Sequence, residues 1–128
     1  IQAVIAEGNY ANFHDELTAA HAPPLSLQWQ VQRLVLLFFR LRSGISAREI
    51  SPVDDLPAIA PRPVLLIHGE LEADRSRAQW QYESASSPEN ANASLWIVPD
   101  AGHGAYHRLH PEEYEIRIVE FFDAARNE

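Results

Sequence analysis

The sequence predicts an α/β protein built on a small parallel sheet with flanking helices, and three observations carry that expectation. Two continuous apolar runs rich in β-branched residues, "VLLIHG" at Val64–Gly69 and "SLWIV" at Ser94–Val98, read as strands buried on both faces. A shorter run, "AVIA" at Ala3–Ala6, closes on Glu7-Gly8-Asn9 and reads as a strand leaving into a turn. Helical patterns separate these runs, and strands alternating with helices imply a parallel sheet with right-handed crossovers.

Each element can be justified in chain order. After the first strand, "ANFHDELTAAHAPPL" reads as a short helix stopped by Pro23-Pro24. From Leu27 the apolar residues Leu27, Val31, Leu34, Phe38 and Leu41 form a helical stripe. Val35, Leu36, Leu37 and Phe39 widen it to most of the circumference, so this helix is expected to be covered on more than one side. Gly44 is a plausible C-cap. Ser51 reads as an N-cap with Pro52 at the first position of a one- or two-turn helix. The strand Val64–Gly69 leads through the acidic loop "ELEAD" into a helix from about Ser76 to Ala85. The last helix opens at Pro111, with Glu112 and Glu113 where the helix dipole favours anions. Its expected apolar face is Tyr114, Ile118, Phe121, Phe122 and Ala125.

Composition narrows the function classes. The 128 residues amount to one domain or part of one. With no cysteine, disulfides, thiolate catalysis and cysteine metal sites are excluded. The net charge of -8, with ten scattered arginines as the cations, argues against a nucleic-acid surface. No apolar run approaches the roughly 20 residues that span a bilayer, and no signal-peptide pattern opens the chain, so no membrane partner is expected. The chain holds no methionine and opens straight into a strand-like run. The expectation is therefore the interior or tail of a longer protein. A strand at Ile1–Ala6 lacking a preceding neighbour would expose an apolar edge, so self-association or pairing with a missing N-terminal part is also expected.

In an open parallel sheet, functional groups gather in the loops beyond the carboxyl ends of the strands. The loop after "VLLIHG" presents Glu70, Glu72 and Asp74, and the loop after "LWIVPD" presents His103 between Gly102 and Gly104. The two strands are consecutive, so a right-handed connection makes them neighbours and brings an acid near an imidazole. Those are two members of a nucleophile–base–acid triad. Glycines on both sides of His103 would let the turn take positive φ and bring the backbone close to a substrate.

"PVLLIHGELEAD" followed by "LWIVPDAGHGAYHRLHPEEYEIRIVEFFD" resembles the C-terminal part of the α/β-hydrolase superfamily, most closely its dienelactone-hydrolase and prolyl-oligopeptidase-like branch. There a strand ending in His-Gly precedes the loop with the acid, and the next strand ends in a Pro-x-(Ala/Gly)-Gly-His turn with the catalytic histidine. The resemblance covers nearly the whole chain, with "AVIAEGNYAN" like the strand after the nucleophile helix and residues 11–50 like the family's cap insertion. It implies that His103 is the general base. The acid falls on Glu72, where the family usually has aspartate, with Asp74 and then Glu70 as alternatives. It implies ester or amide hydrolysis by acyl transfer on a small-molecule substrate, with no cofactor.

The family nucleophile sits on a G-x-S-x-G strand–turn–helix elbow, and no serine here has that context. "RSGIS" at Arg42–Ser46 lacks the first glycine and follows a helix. The nucleophile precedes the acid and histidine in chain order, so the expectation is a hydrolase back half, inactive alone. The rival is a non-catalytic α/β-hydrolase-like domain used for binding or assembly. A flavodoxin-like binding domain would need a phosphate-cradling loop, and "EGNYANF" is a poor one. His68 is expected to orient its loop. His103, His107 and His110 have spacings of four and three, but Gly102, Gly104 and Pro111 interrupt any helix that would align them, so no metal is expected. The stripe from Leu27 to Leu41 can serve as cap packing or line an acyl or aromatic pocket, and Trp29, Trp80 and Trp96 read as packing residues.

Overall fold

A computed structural model describes residues 2–18, 22–72, 75–86 and 92–127. The elements run β1 (Val4–Glu7), α1 (Phe13–Thr18), α2 (Leu27–Ser43), α3 (Pro52–Asp55), β2 (Val64–Gly69), α4 (Arg75–Ala85), β3 (Ala93–Val98), α5 (Tyr106–Leu109) and α6 (Pro111–Asn127). Short 3-10 turns lie at Ala47–Glu49 and Leu56–Ile59. The chain divides into two compact units, one of Ile1–Asn9 with Val53–Glu128 and one of Tyr10–Pro52.

The first unit holds the sheet. Its strands are all parallel in the order β1-β2-β3, with Val4 opposite Val64 and Val64 opposite Ala93. The α/β class and the three parallel strands are thus as the sequence implies. Strand β2 is central and every residue in it is buried, which is why its sequence is apolar without alternation. On one face, Leu65, Ile67, Trp96, Val98, Ala101 and Tyr106 form a core against Ile5 of β1 and Tyr114, Ile118 and Phe121 of α6. On the other, Leu56, Val64, Leu66 and Ala85 pack with Ile59, Tyr82 and Leu95. Leu66, Ile67 and Val64 are fully buried, each contributing roughly 1.5–3 kcal/mol relative to an exposed side chain. Helix α6 turns the expected Tyr114, Ile118 and Phe121 inward, but Phe122 is exposed.

In the second unit, α2 is capped at both ends, at its C-terminus by the Gly44 that the sequence suggests. Ser26 Oγ accepts from the Trp29 N–H at 3.2 Å, and Gly44, at φ 79°, donates its N–H to the Arg40 carbonyl at 2.9 Å. The expected cover over α2 is not observed. It buries no residue, and Phe38 and Leu41 are 64% and 71% exposed. Among the described residues of its unit, α2 packs on the six-residue α1 and a 3-10 turn. Their contact includes Phe13 edge-on to Phe39 with ring centroids 5.3 Å apart. Ser51 precedes α3 and Pro52 opens it, but the buried Ser51 hydroxyl makes no hydrogen bond among the described residues. The cap is positional only, since α3 gives way to a 3-10 turn after four residues.

No described helix is long and apolar enough to cross a membrane.

Candidate active site

The carboxyl ends of β2 and β3 bring two loops together. Beyond β2, the Glu70 N–H donates to the Val98 carbonyl at 2.9 Å, extending the β2–β3 ladder by one bond. The Leu71 N–H donates to Ala101 at 2.9 Å, and the Glu72 N–H turns back to Gly69 at 3.2 Å. This tight return aims the Glu72 side chain at the strand end it has just left, and the Gly69 N–H donates to its Oε1 at 2.7 Å. Only glycine suits position 69, because a Cβ there would strike the Ala101 carbonyl oxygen and stand 3.3 Å from Glu72 Oε1.

The second loop follows β3 through Pro99 and Asp100. Asp100 adopts φ 54° and Gly104 φ 71°, whereas Gly102 is absent from the positive-φ positions. The expectation that both glycines beside His103 provide left-handed backbone is therefore half met. The turn reverses at Asp100, a residue that tolerates this region, so Gly102 is not asked to. His103 then stands with Nδ1 3.4 Å from Glu72 Oε2. Glu72 is 17% exposed at its side chain and His103 72%, so the acid is sheltered and the imidazole is open to a reactant.

Two neighbours complete the arrangement that sequence reasoning did not single out. Tyr106, buried at the start of α5, donates its hydroxyl to Glu72 Oε1. Gly8, just past β1 at φ 51°, lies against both side chains. A Cβ there would come within 2.7 Å of His103 Cε1 and Nδ1 and 2.5 Å of the Tyr106 hydroxyl. Thus one carboxylate oxygen is held by the Gly69 N–H and the Tyr106 hydroxyl, and the other faces the imidazole. "GHGAYH" contained the signal, since a tyrosine three residues past a turn histidine can reach the same acid. Its partner could be known only once the β2 loop was placed.

The electrostatics follow from these bonds. Burial by itself pushes the Glu72 carboxyl up, but the hydrogen bonds from Tyr106, Gly69 and His103 and the charge of His68 outweigh it and hold its pKa below the ordinary value. Burial and the bond to Glu72 push the Tyr106 hydroxyl well above the usual tyrosine range. His68 is buried on β2 with Nδ1 3.9 Å from Glu72 Oε2, beyond hydrogen-bond reach. Burial lowers its pKa, with the nearby His103 adding to that and Glu72 and Gln81 opposing it.

Of the other acids considered, Glu70 Oε2 accepts the Asp100 N–H at 3.2 Å, bracing the β3 turn. Asp74 lies outside the described residues. His107 and His110 diverge from His103, Nε2 of the first lying 3.3 Å from Glu115 and Nε2 of the second donating to the Pro99 carbonyl at 2.9 Å. No group of three or more His, Asp or Glu residues is placed to hold a metal among the described residues.

No family model matches the chain. The uncharacterized protein YqkD of Bacillus subtilis is 27% identical over 122 residues, 93% of this chain and 38% of the relative. The uncharacterized protein PA2218 of Pseudomonas aeruginosa is 42% identical over 66 residues, 51% of this chain and 16% of the relative. The chain thus spans well under half the length of the curated relatives it matches. Among solved structures, the esterase Pf2001 of Pyrococcus furiosus superposes with a TM-score of 0.64 at 22% identity, covering 97% of this chain and 44% of the esterase. The hypothetical protein PA2218 superposes with a TM-score of 0.59 at 20% identity, covering 98% of this chain and 54% of its own. The parallel sheet, the helices on both its faces and these superpositions together give the chain an α/β-hydrolase-like fold.

Proposed function

We propose that this chain carries the acid and histidine of a serine-hydrolase site that cleaves an ester or amide by acyl transfer. The observation that supports it is the 3.4 Å contact between Glu72 Oε2 and His103 Nδ1, with the other carboxylate oxygen fixed by Gly69 and Tyr106. An ionised carboxylate only accepts hydrogen bonds, so Nδ1 carries the proton and Nε2 keeps its lone pair. Nε2 takes the proton of an attacking hydroxyl as its oxygen bonds to the substrate carbonyl carbon. It returns that proton to the leaving oxygen or nitrogen as the ester or amide bond breaks. Glu72 orients the ring and stabilises the imidazolium formed between these transfers. Water then repeats the sequence on the acyl-enzyme and restores the free hydroxyl.

The attacking hydroxyl belongs, on this reading, to a serine on a G-x-S-x-G elbow in a segment outside this sequence, which contains no such motif. In the family that the chain resembles, the nucleophile precedes the acid and the histidine. Residues 1–128 are accordingly read as a C-terminal portion of the dienelactone-hydrolase and prolyl-oligopeptidase-like branch, inactive in isolation. The compact unit Tyr10–Pro52, inserted between β1 and β2, supports reading residues 11–50 as a cap insertion.

Labelling of the full-length protein by a serine-directed fluorophosphonate tests this reading. Labelling is expected, and His103→Ala should slow it by about 10³-fold or more. Absent labelling, or labelling indifferent to His103→Ala, would overturn it. So would ester turnover by the 128-residue chain alone that His103→Ala abolishes.

A further inference from the structure

Within the unit Tyr10–Pro52 a cavity of about 650 Å³ opens between α1, α2 and the 3-10 turn at Ala47–Glu49. Three of its lining residues are arginines. Arg33 and Arg40 lie two turns apart on α2 and so share a face, and Arg48 comes from the 3-10 turn. Trp29, Leu36 and Leu37 line it as well. The Arg33 guanidinium sits 4.6 Å from the centroid of the Trp29 ring.

The charge here runs against the rest of the molecule. The chain has 18 acidic against 10 basic residues, yet residues 10–52 have four arginines against three carboxylates. Each of those carboxylates has a partner. Asp15 pairs with His14 at 3.2 Å, Glu49 accepts the Ser46 N–H at 2.8 Å, and Glu16 has a contact of its own. No ion pair joins the guanidiniums of Arg33, Arg40 or Arg48 to a carboxylate among the described residues. Like charges gathered at one cavity repel, and an anion placed among them relieves that repulsion. Guanidinium forks match the planar geometry of a carboxylate. The indole and the two leucines offer the apolar surface that an inorganic ion would leave unused.

We propose that this cavity binds a small organic anion, a carboxylate carried on an apolar body such as a medium-chain or aromatic acid, with Arg33, Arg40 and Arg48 receiving the carboxylate and Trp29, Leu36 and Leu37 the apolar part. Neither Glu72 nor His103 enters this proposal, so it stands or falls apart from the hydrolase reading. Calorimetric titration of the protein with octanoate, inorganic phosphate and 1-octanol tests it. Octanoate is expected to bind saturably with a dissociation constant below about 1 mM, and phosphate and octanol at least about tenfold more weakly. The double variant Arg33→Gln/Arg40→Gln should weaken octanoate by about tenfold or more, with the helical circular dichroism retained. Arg48→Gln should weaken it in the same direction, while Arg42→Gln, which lies on α2 outside the cavity lining, leaves it unchanged. Failure of octanoate to bind overturns the proposal, as does binding that ignores Arg33, Arg40 and Arg48. Phosphate binding as tightly as octanoate would overturn the apolar half of the assignment.

Discussion

Glu72 has one methylene more than the aspartate usual at this place in the family that the chain resembles, and the extra length adds a rotatable bond that something must restrain. Two donors do so. The Gly69 N–H reaches Oε1 from the strand end and the Tyr106 hydroxyl reaches it from α5, leaving Oε2 for His103. Tyr106→Phe removes one of these donors while keeping the ring in the core. Losing a hydrogen bond to a buried charged group costs about 1.5–3 kcal/mol, so the variant should unfold at lower denaturant concentration at neutral pH. The pH dependence has a definite sign. The Glu72 carboxyl is held below its ordinary value of 4.5 in the folded protein. The stabilisation is therefore present above that value and lost as pH falls through the folded pKa. Without the Tyr106 donor, burial has the greater say and the folded pKa rises. The gap between the two proteins should thus narrow as acid titrates the carboxylate. An equal gap at neutral pH and at pH 3 in denaturant titrations would show that the hydroxyl does not act through the charge of Glu72.

At the scale of elements, the strands were legible because full burial demands uninterrupted apolar residues, and the C-terminal end of α2 because Gly44 has the chemistry that a C-cap requires. Gly44 occupies left-handed backbone at φ 79° with nothing within 4 Å of where a Cβ would stand. The penalty for a larger residue is therefore one of backbone alone. Gly44→Ala should destabilise the last turn of α2 by about 1–2 kcal/mol, seen as faster hydrogen exchange of amides at positions 40–44 with the sheet unaffected. Unchanged exchange there would mean that the cap contributes nothing. The cover expected over the apolar stripe of α2 was not legible. A helical pattern reports which residues could be buried but not whether the chain offers a partner. Helix α5 was equally hidden. Four residues carry no periodicity, and Tyr106 is fixed by the core cluster rather than by helix propensity.

Across the whole molecule, two surfaces invite association. Strand β1 pairs only with β2 among the described residues, leaving the backbone groups on its other side unpaired. Leu34, Phe38 and Leu41 on α2 are exposed besides. We expect the 128-residue chain to self-associate, or to pair with another part of the full protein. Light scattering at rising concentration checks the first of these, and a constant mass of 14.4 kDa throughout would exclude self-association. The residues by themselves determined the α/β class, the order of the three strands and of the longer helices, and the two loops in which Glu72 and His103 would be found. Those features follow from local periodicity and turn chemistry, which a linear sequence records. Only the tertiary structure decided that Tyr106 and Gly69 hold one oxygen of Glu72, that Gly8 must lack a side chain to admit His103, and that Arg33, Arg40 and Arg48 share a cavity. The contacts of Tyr106 with Glu72 and of Gly8 with His103 join segments far apart in the chain, and no local pattern encodes such distances.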